Sequence, residues 1–294
     1  MPASTGLRHS GGLMRNTIAI TGAAGVVGTA LRPELAALGY ASVLIDRSPL
    51  HDLAPGERAV QADVRDVPAL AAALAGCAGV LHLASCTTDA PWPQQVALSV
   101  EGTISLFEAA RAVGVGRVVY ASSHHVVGFH PRGRPIGSAA VLLPDSRYGV
   151  GKAFGESVAA LYACKFGLQC LAIRIGNVNT RPIDRRRLGN WISPRDLASL
   201  VAIGLEHPDI LFDVVYGVSD ATGRDYDNTR AFALGYAPQS QSEPWEAQVF
   251  TEDPPAPPET SAARSPAETT LGGAFSQSEF TGSPKRLSRL PGWT

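Results

Sequence analysis

From Thr17 onward the chain alternates short apolar runs with longer amphipathic stretches. Thr17–Thr21 (TIAIT) reads as a first strand, followed by a glycine-rich turn and a helical run from Val27 to Leu38. Ser42–Ile45 forms a second strand ending at Asp46, and Ala59–Ala62 a third ending at Asp63. The alanine-rich run Val67–Ala75 predicts a helix, Val80–Ala84 (VLHLA) a fourth strand and Gln94–Val113 a long amphipathic helix. Arg117–Ser122, then a helix over Tyr148–Phe166, then Gln169–Ile175 complete a repeating strand–helix pattern. Strands that alternate with helices, and are apolar enough to be covered on both faces, predict an α/β fold with a Rossmann-type doubly wound parallel sheet.

After Ile175 the rhythm changes. Arg185–Arg187 reads as a basic loop. Ser193-Pro194-Arg195-Asp196 has the chemistry of a helix entry, with Ser193 as N-cap and Pro194 in the first turn, and the helix should run to about Leu205. Phe212–Val218 reads as one more strand. The expected organisation is a nucleotide-binding domain over 14–176 and a small C-terminal substrate lobe over 177–250, interleaved with the core. Residues 251–294 read as a mostly flexible tail with one short ordered segment, Leu271–Phe275, and fraying from about Thr281. The polar, glycine-rich residues 1–13 are expected to be a disordered extension, or translation starts at Met14.

Composition narrows the function classes. The chain has 294 residues, 45% of them hydrophobic, and a formal net charge of -1, so nothing suggests nucleic acid as a partner. Cys77, Cys86, Cys164 and Cys170 lack metal-ligand spacing and read as free thiols of a reducing compartment. No stretch is long and apolar enough to span a bilayer, so a cytoplasmic protein is expected.

Two groups of residues carry chemistry. In the loop after the first strand, Gly22 allows a tight turn, Gly25 a close approach to a pyrophosphate, and Gly28 close packing of helix on strand. The N–H groups of the following helix then face the phosphates. The spacing is GxxGxxG rather than GxGxxG, and three glycines can also simply build a turn. Asp46, ending the second strand, is placed to accept both ribose hydroxyls of an adenosine and to repel a 2′-phosphate, which favours NAD over NADP; Arg47 beside it is the complication. Asp63 and Val64 are placed to meet the adenine edge, although a solvated loop aspartate would look the same.

The second group is Tyr148 and Lys152, four residues apart and so on one helix face. A free phenol with a pKa near ~10 is a poor base, and a neighbouring ammonium favours its phenolate. Ser123, after the fifth strand, can hold a substrate oxygen. Base, electrostatic helper and orienting hydroxyl are what hydride transfer from an alcohol carbon requires. A YxxxK pair is common on protein surfaces, but its appearance in order after a glycine loop, a strand-end acid and a strand-end serine is far more specific.

These motifs (TGAAGVVG, HLAS, YASSHHVVG, YGVGK and AIRIGNV) resemble those of the extended short-chain dehydrogenases, the NAD-dependent epimerase/dehydratase family, over about Thr17 to Pro238. Within that family the chain is most similar to the uronate dehydrogenases, through Ser122–Gly128, Tyr148–Glu156, Arg186 to Ser193, Val215–Ser219, Asp227–Thr229 and Gly272–Phe275. The resemblance implies NAD as cofactor, with Ser123, Tyr148 and Lys152 catalytic. It places Val26, Val27, Leu83, Ala84, Ser85 and Ile175 against the cofactor. It implies oxidation of galacturonate or glucuronate at the anomeric carbon to an aldarolactone, with Arg186 holding the sugar carboxylate by a guanidinium fork. A solvated basic loop is the plainer reading of Arg185–Arg187. Thr87, His125 and Phe275 match further sugar-pocket positions. Two positions depart from the family pattern. His124 replaces an asparagine and Asn177 a serine, which bears on the choice of sugar but not on the hydride chemistry.

Two other readings remain open on sequence: a sugar-nucleotide epimerase or dehydratase, or another sugar dehydrogenase, on the same scaffold, and a non-catalytic NAD-sensing regulatory protein. By fold-level analogy, the Gln94–Val113 and Tyr148–Phe166 helices could pair two copies into a homo-oligomer.

Overall fold

The computed structural model describes residues 17–221, 225–253 and 265–293. The proposed extension 1–13, Met14 and most of the proline-rich stretch lie outside them. Strands β1 (Thr17–Thr21), β2 (Ala41–Asp46), β3 (Glu57–Gln61) and β4 (Gly79–His82) alternate with helices α1 (Val26–Ala37) and α2 (Val67–Leu74). Two short helical pieces follow, α3 (Trp92–Gln95) and α4 (Gly102–Ala112), joined by a π-helical turn over Val96–Glu101. Then come β5 (Arg117–Ser123), α5 (Arg147–Phe166) and β6 (Gln169–Ile175). A ribbon of β7 (Asn177–Val178) and β8 (Trp191–Ile192) flanks α6 (Arg185–Leu188), and α7 (Pro194–Glu206) leads to β9 (Phe212–Gly217). Among the described residues five short helices follow: α8 (Thr229–Ala233), α9 (Glu246–Glu252), α10 (Pro266–Thr269), α11 (Ala274–Gln277) and α12 (Pro284–Leu287). Among the described residues no helix is long and apolar enough to cross a membrane.

Seven strands pair in the order β3-β2-β1-β4-β5-β6-β9, all in parallel. The direction of winding reverses between β1 and β4, which opens a crevice at the carboxyl ends of those strands. Alternation along each strand feeds two cores. Ile18, Ile20 and Leu44 face α1 and α7 on one side, and Ala19, Val43 and Val80 face α2, α4 and α5 on the other. The expected fold class is the observed one.

Several boundaries differ for local reasons. The helix expected over Gln94–Val113 is broken by the π turn, whose extra width turns Ser99 and Gln95 inward. There Ser99 Oγ bonds Gln95 Oε1 and the Ser85 hydroxyl, each at 2.9 Å. The basic run Arg185–Arg187 is a capped helical turn and not a loop: Asp184 accepts the Arg187 N–H at 2.8 Å. The stretch after Ile175 is woven deeply into the core, with β9 the seventh strand and α7 packed on β5 and its neighbours; β7, β8 and α6 stand over the carboxyl edge.

The expectation of a mostly flexible tail needs correction. Residues 265–293 are docked: Thr270, Leu271 and Ser276 are buried, Leu271 N–H donates to His130 O, and Trp293 Nε1 donates to Phe129 O at 2.8 Å. Polar and small residues make this segment read as loop, because its partners lie more than a hundred residues away and local pattern carries no trace of them.

Beneath the sheet's carboxyl edge, Arg174 of β6 and Glu156 of α5 form a buried bidentate pair, with both N–O distances 2.9 Å. Ser122 of β5 donates to Glu156 at 2.6 Å, and Arg174 reaches Ser138 O and the Tyr216 hydroxyl of β9. Gly155 lets α5 lie close: a Cβ there would stand 1.9 Å from the Tyr120 hydroxyl. Breaking a buried pair leaves an uncompensated charge. Arg174→Met is therefore expected to lower unfolding free energy by roughly 3–5 kcal/mol, read from urea denaturation, while Glu156→Leu combined with Arg174→Met costs much less than the single change.

Candidate active site

The crevice holds two cavities that meet at Gly22. The smaller lies over β2 and β3 and is lined by Asp46, Arg47, Asp63, Val64, Ala84 and Ser85. The larger, of about 470 Å³, runs from the glycine loop past the ends of β5 and β6 to α6 and the docked C-terminal segment. Its near end is lined by Gly25, Val26, Val27, Gly28, Leu83 and Ile175. Ser123, Tyr148 and Lys152 stand in the middle. Thr87, His124, His125, Asn177, Arg186 and Phe275 line the rest. Every residue singled out from sequence therefore reaches one continuous crevice.

The near end fits a dinucleotide. Gly22 has φ +70°, and a Cβ there would stand 2.7 Å from the Ala84 backbone nitrogen. A Cβ on Gly28 would stand 2.6 Å from Ala23 O, so the third glycine sets how closely α1 approaches the turn. Helix α1 has no side-chain cap at Gly25, and the N–H groups of Val26, Val27 and Gly28 make no hydrogen bond among the described residues. Free donors at a helix N-terminus suit a pyrophosphate. Asp46 Oδ2 accepts Ala24 N–H at 3.0 Å and Oδ1 accepts Ser48 N–H at 2.9 Å, which fixes the carboxylate at the cavity wall with lone pairs to spare. Asp63 is less free: Arg65 grips both its oxygens, at 2.9 and 2.7 Å, and holds its pKa down to about 2.

The central group is built by two element ends. Ser123 closes β5 opposite Ile175 of β6, and its Oγ accepts the His125 N–H at 3.2 Å, capping the 3₁₀ turn His124–Val127. Ser146 caps α5 by accepting Gly149 N–H at 3.1 Å, which sets Tyr148 in the first turn and Lys152 one turn later. Lys152 is buried, and its Nζ donates to Ala121 O at 2.7 Å, 5.8 Å from the Tyr148 ring centre. Burial pulls the lysine pKa down to about 7. Burial raises the Tyr148 pKa, and a hydrogen bond with Ser123 only partly opposes this. The Lys152 ammonium is directed at the Ala121 carbonyl.

The far end is rich in positive charge. Arg186 is held by one bond from Nη1 to Leu271 O at 3.3 Å and pairs with no carboxylate among the described residues. Burial, then Arg187 and Arg132, push its pKa below the usual guanidinium value. Arg187 Nε and Asn177 Oδ1 are buried without a partner. Phe275 stacks on His125 with ring centres 4.4 Å apart and meets Tyr148 edge-on at 6.1 Å. Asp145 accepts from His125 Nδ1 at 2.7 Å, and the Tyr226 hydroxyl bonds His124 Nδ1 at 3.2 Å. Arg187, Asp145 and Tyr226 were not foreseen. Asp145 stands three residues before Tyr148 and could have been suspected as a partner for a nearby histidine; Tyr226 lies about a hundred residues from His124 and leaves no local signal.

Comparison with known proteins places this geometry. Residues 18–208 match the model of the NAD dependent epimerase/dehydratase family. The uronate dehydrogenase of Pseudomonas putida is 37% identical over 263 residues, covering 88% of this chain and 95% of that protein. The crystal structure of glucuronic acid dehydrogenase from Chromohalobacter salexigens superposes with a TM-score of 0.84 at 35% identity, covering 92% of this chain and 98% of that one. A tyrosine-to-alanine variant of uronate dehydrogenase from Agrobacterium tumefaciens, complexed with NAD, gives a TM-score of 0.83 at 34% identity, covering 89% and 97%. With a glycine loop, strand-end acid, Ser123, Tyr148 and Lys152 in one crevice and a family match spanning most of the sheet, the chain belongs to the NAD-dependent epimerase/dehydratase family.

Proposed function

We propose that the protein oxidises a hexuronic acid, galacturonate or glucuronate, at its anomeric carbon to an aldarolactone, with NAD⁺ as hydride acceptor. The observation that carries this reading is Arg186: a half-buried guanidinium that pairs with no carboxylate among the described residues, lining the same cavity as Ser123 and Tyr148. A carboxylate with two oxygens in one plane is the ligand such a fork takes up best. The names of the relatives at 34–37% identity point the same way.

The N–H groups of Val26, Val27 and Gly28 would hold the pyrophosphate and Asp46 the adenosine ribose. NAD⁺, when bound, supplies the hydride acceptor and a positive charge beside the phenol. Ser123 Oγ holds the anomeric oxygen, and Tyr148 takes the proton of that hydroxyl as the anomeric C–H bond breaks. The sugar loses a hydride and a proton and becomes a lactone. Lys152, anchored on Ala121 O, stands behind the phenol and stabilises its anionic form. Arg186 fixes the opposite end of the sugar, so binding energy from the carboxylate orients the reacting carbon.

NADH formation is expected with uronates and not with their neutral parent sugars; turnover of the neutral sugars alone would overturn the assignment. Tyr148→Phe is expected to lower kcat by roughly 10²-fold or more while NAD affinity, measured by calorimetry, changes little. Arg186→Ala should act mainly on binding: KM for uronate rises by about 10²-fold, and an unaltered KM means that the carboxylate sits elsewhere.

A stability prediction follows from Lys152. Its folded pKa, about 7, lies below the ordinary 10.5 because burial disfavours the charged form. The folded chain therefore binds fewer protons than the unfolded chain between those values, and stability rises with pH across that window. The penalty is complete below about pH 7. Lys152→Met should accordingly stabilise the ligand-free protein at neutral pH by roughly 1–3 kcal/mol, with the advantage shrinking towards pH ~10, as followed by urea unfolding at several pH values.

A further inference from the structure

His124 and His125 are neighbours in sequence and in space, with ring centres 4.2 Å apart, and both line the sugar end of the cavity. Each is pinned through Nδ1, but by partners of opposite kind. Asp145 Oδ2 lies 2.7 Å from His125 Nδ1, and a carboxylate can only accept. His125 therefore carries its proton on Nδ1, and a neutral ring offers a lone pair at Nε2. The Tyr226 hydroxyl lies 3.2 Å from His124 Nδ1, and that nitrogen is its hydrogen-bond partner among the described residues. Tyr226 is buried, so its O–H is satisfied only by donating to that nitrogen. His124 Nδ1 must then be the acceptor, which leaves the ring proton on Nε2. Neither Nε2 has a partner for the sugar end of the cavity among the described residues.

We propose that Tyr226 is a positioning residue that locks His124 in the Nε2–H tautomer, so that His124 and His125 present a fixed donor beside a fixed acceptor to two oxygens of the substrate. The donor matches a sugar oxygen that accepts, and the acceptor matches a ring hydroxyl that donates. This rests on the sugar-acid reading for its substrate, although the tautomer itself does not. Surrounding charge supports the arrangement. Burial, His125, Arg186, Arg187 and Arg132 all push the His124 pKa well below its ordinary value, so the ring stays neutral and keeps one donor and one acceptor. Burial raises the Tyr226 pKa, which keeps the O–H in place.

The tyrosine is well held without its hydroxyl. Its ring packs on Tyr216 at 4.5 Å, and its neighbours tie to Ile136 through Ile136 N–H to Asp225 O and Asp227 N–H to Ile136 O. Tyr226→Phe should therefore keep the fold and remove only the lock. The test is a pair of measurements. Long-range ¹⁵N NMR of the ligand-free protein, with the His124 signals assigned through His124→Gln, should show Nε2–H for His124 in the wild type and a tautomer mixture in Tyr226→Phe. Steady-state kinetics of Tyr226→Phe should show KM for the sugar raised roughly five- to twentyfold, with kcat within about twofold and NAD affinity unchanged. An Nδ1–H signal for wild-type His124, or a variant with unaltered tautomer, overturns the proposal; so does a parallel loss of NAD affinity. The NMR measurement needs no substrate, so absence of uronate turnover counts against the proposed reaction while the tautomer result still decides this one.

Discussion

The Glu156–Arg174 pair is the constraint on which the site's geometry hangs. It joins α5 to β6 through two charged hydrogen bonds, to β5 through Ser122 and to β9 through Tyr216. Lys152 and Tyr148 lie on the same helix as Glu156, one and two turns closer to its start respectively. Ser123 directly follows Ser122 on β5. One buried network thus fixes the helix that carries the phenol against the strand that carries the serine. The desolvation cost of such a pair is high, and full hydrogen bonding of both partners is what offsets it.

Electrostatic character changes along the crevice in an ordered way. The nucleotide end offers backbone N–H donors and the carboxylates Asp46 and Asp63, the second already held by Arg65. The centre holds a phenol whose pKa burial raises, beside a lysine whose pKa burial brings down to about 7. The far end gathers Arg186 and Arg187, with Arg132 near, around His124, whose pKa burial and these charges push well down. Each zone suits a different part of the reactants: phosphates and ribose, the reacting carbon, and an anion.

Most of the fold and the central chemistry was legible in the sequence. Strands β1 and β6 have the bounds read from apolar runs, and the Ser193 cap of α7 follows from local side-chain chemistry. These features are local, so sequence periodicity records them. What was missed is non-local or contextual. The π turn is a packing response to Ser85 and α5, the docked segment 265–293 depends on strand ends far away, and Tyr226 meets His124 only after folding.

The docked segment has one more consequence. It supplies Leu271 O, which holds Arg186, and Phe275, which covers His125, yet it follows every strand of the sheet in sequence. During synthesis those residues leave the ribosome after every strand of the sheet. The glycine loop and the strand ends that line the near half of the crevice are therefore made before the segment that walls its far half.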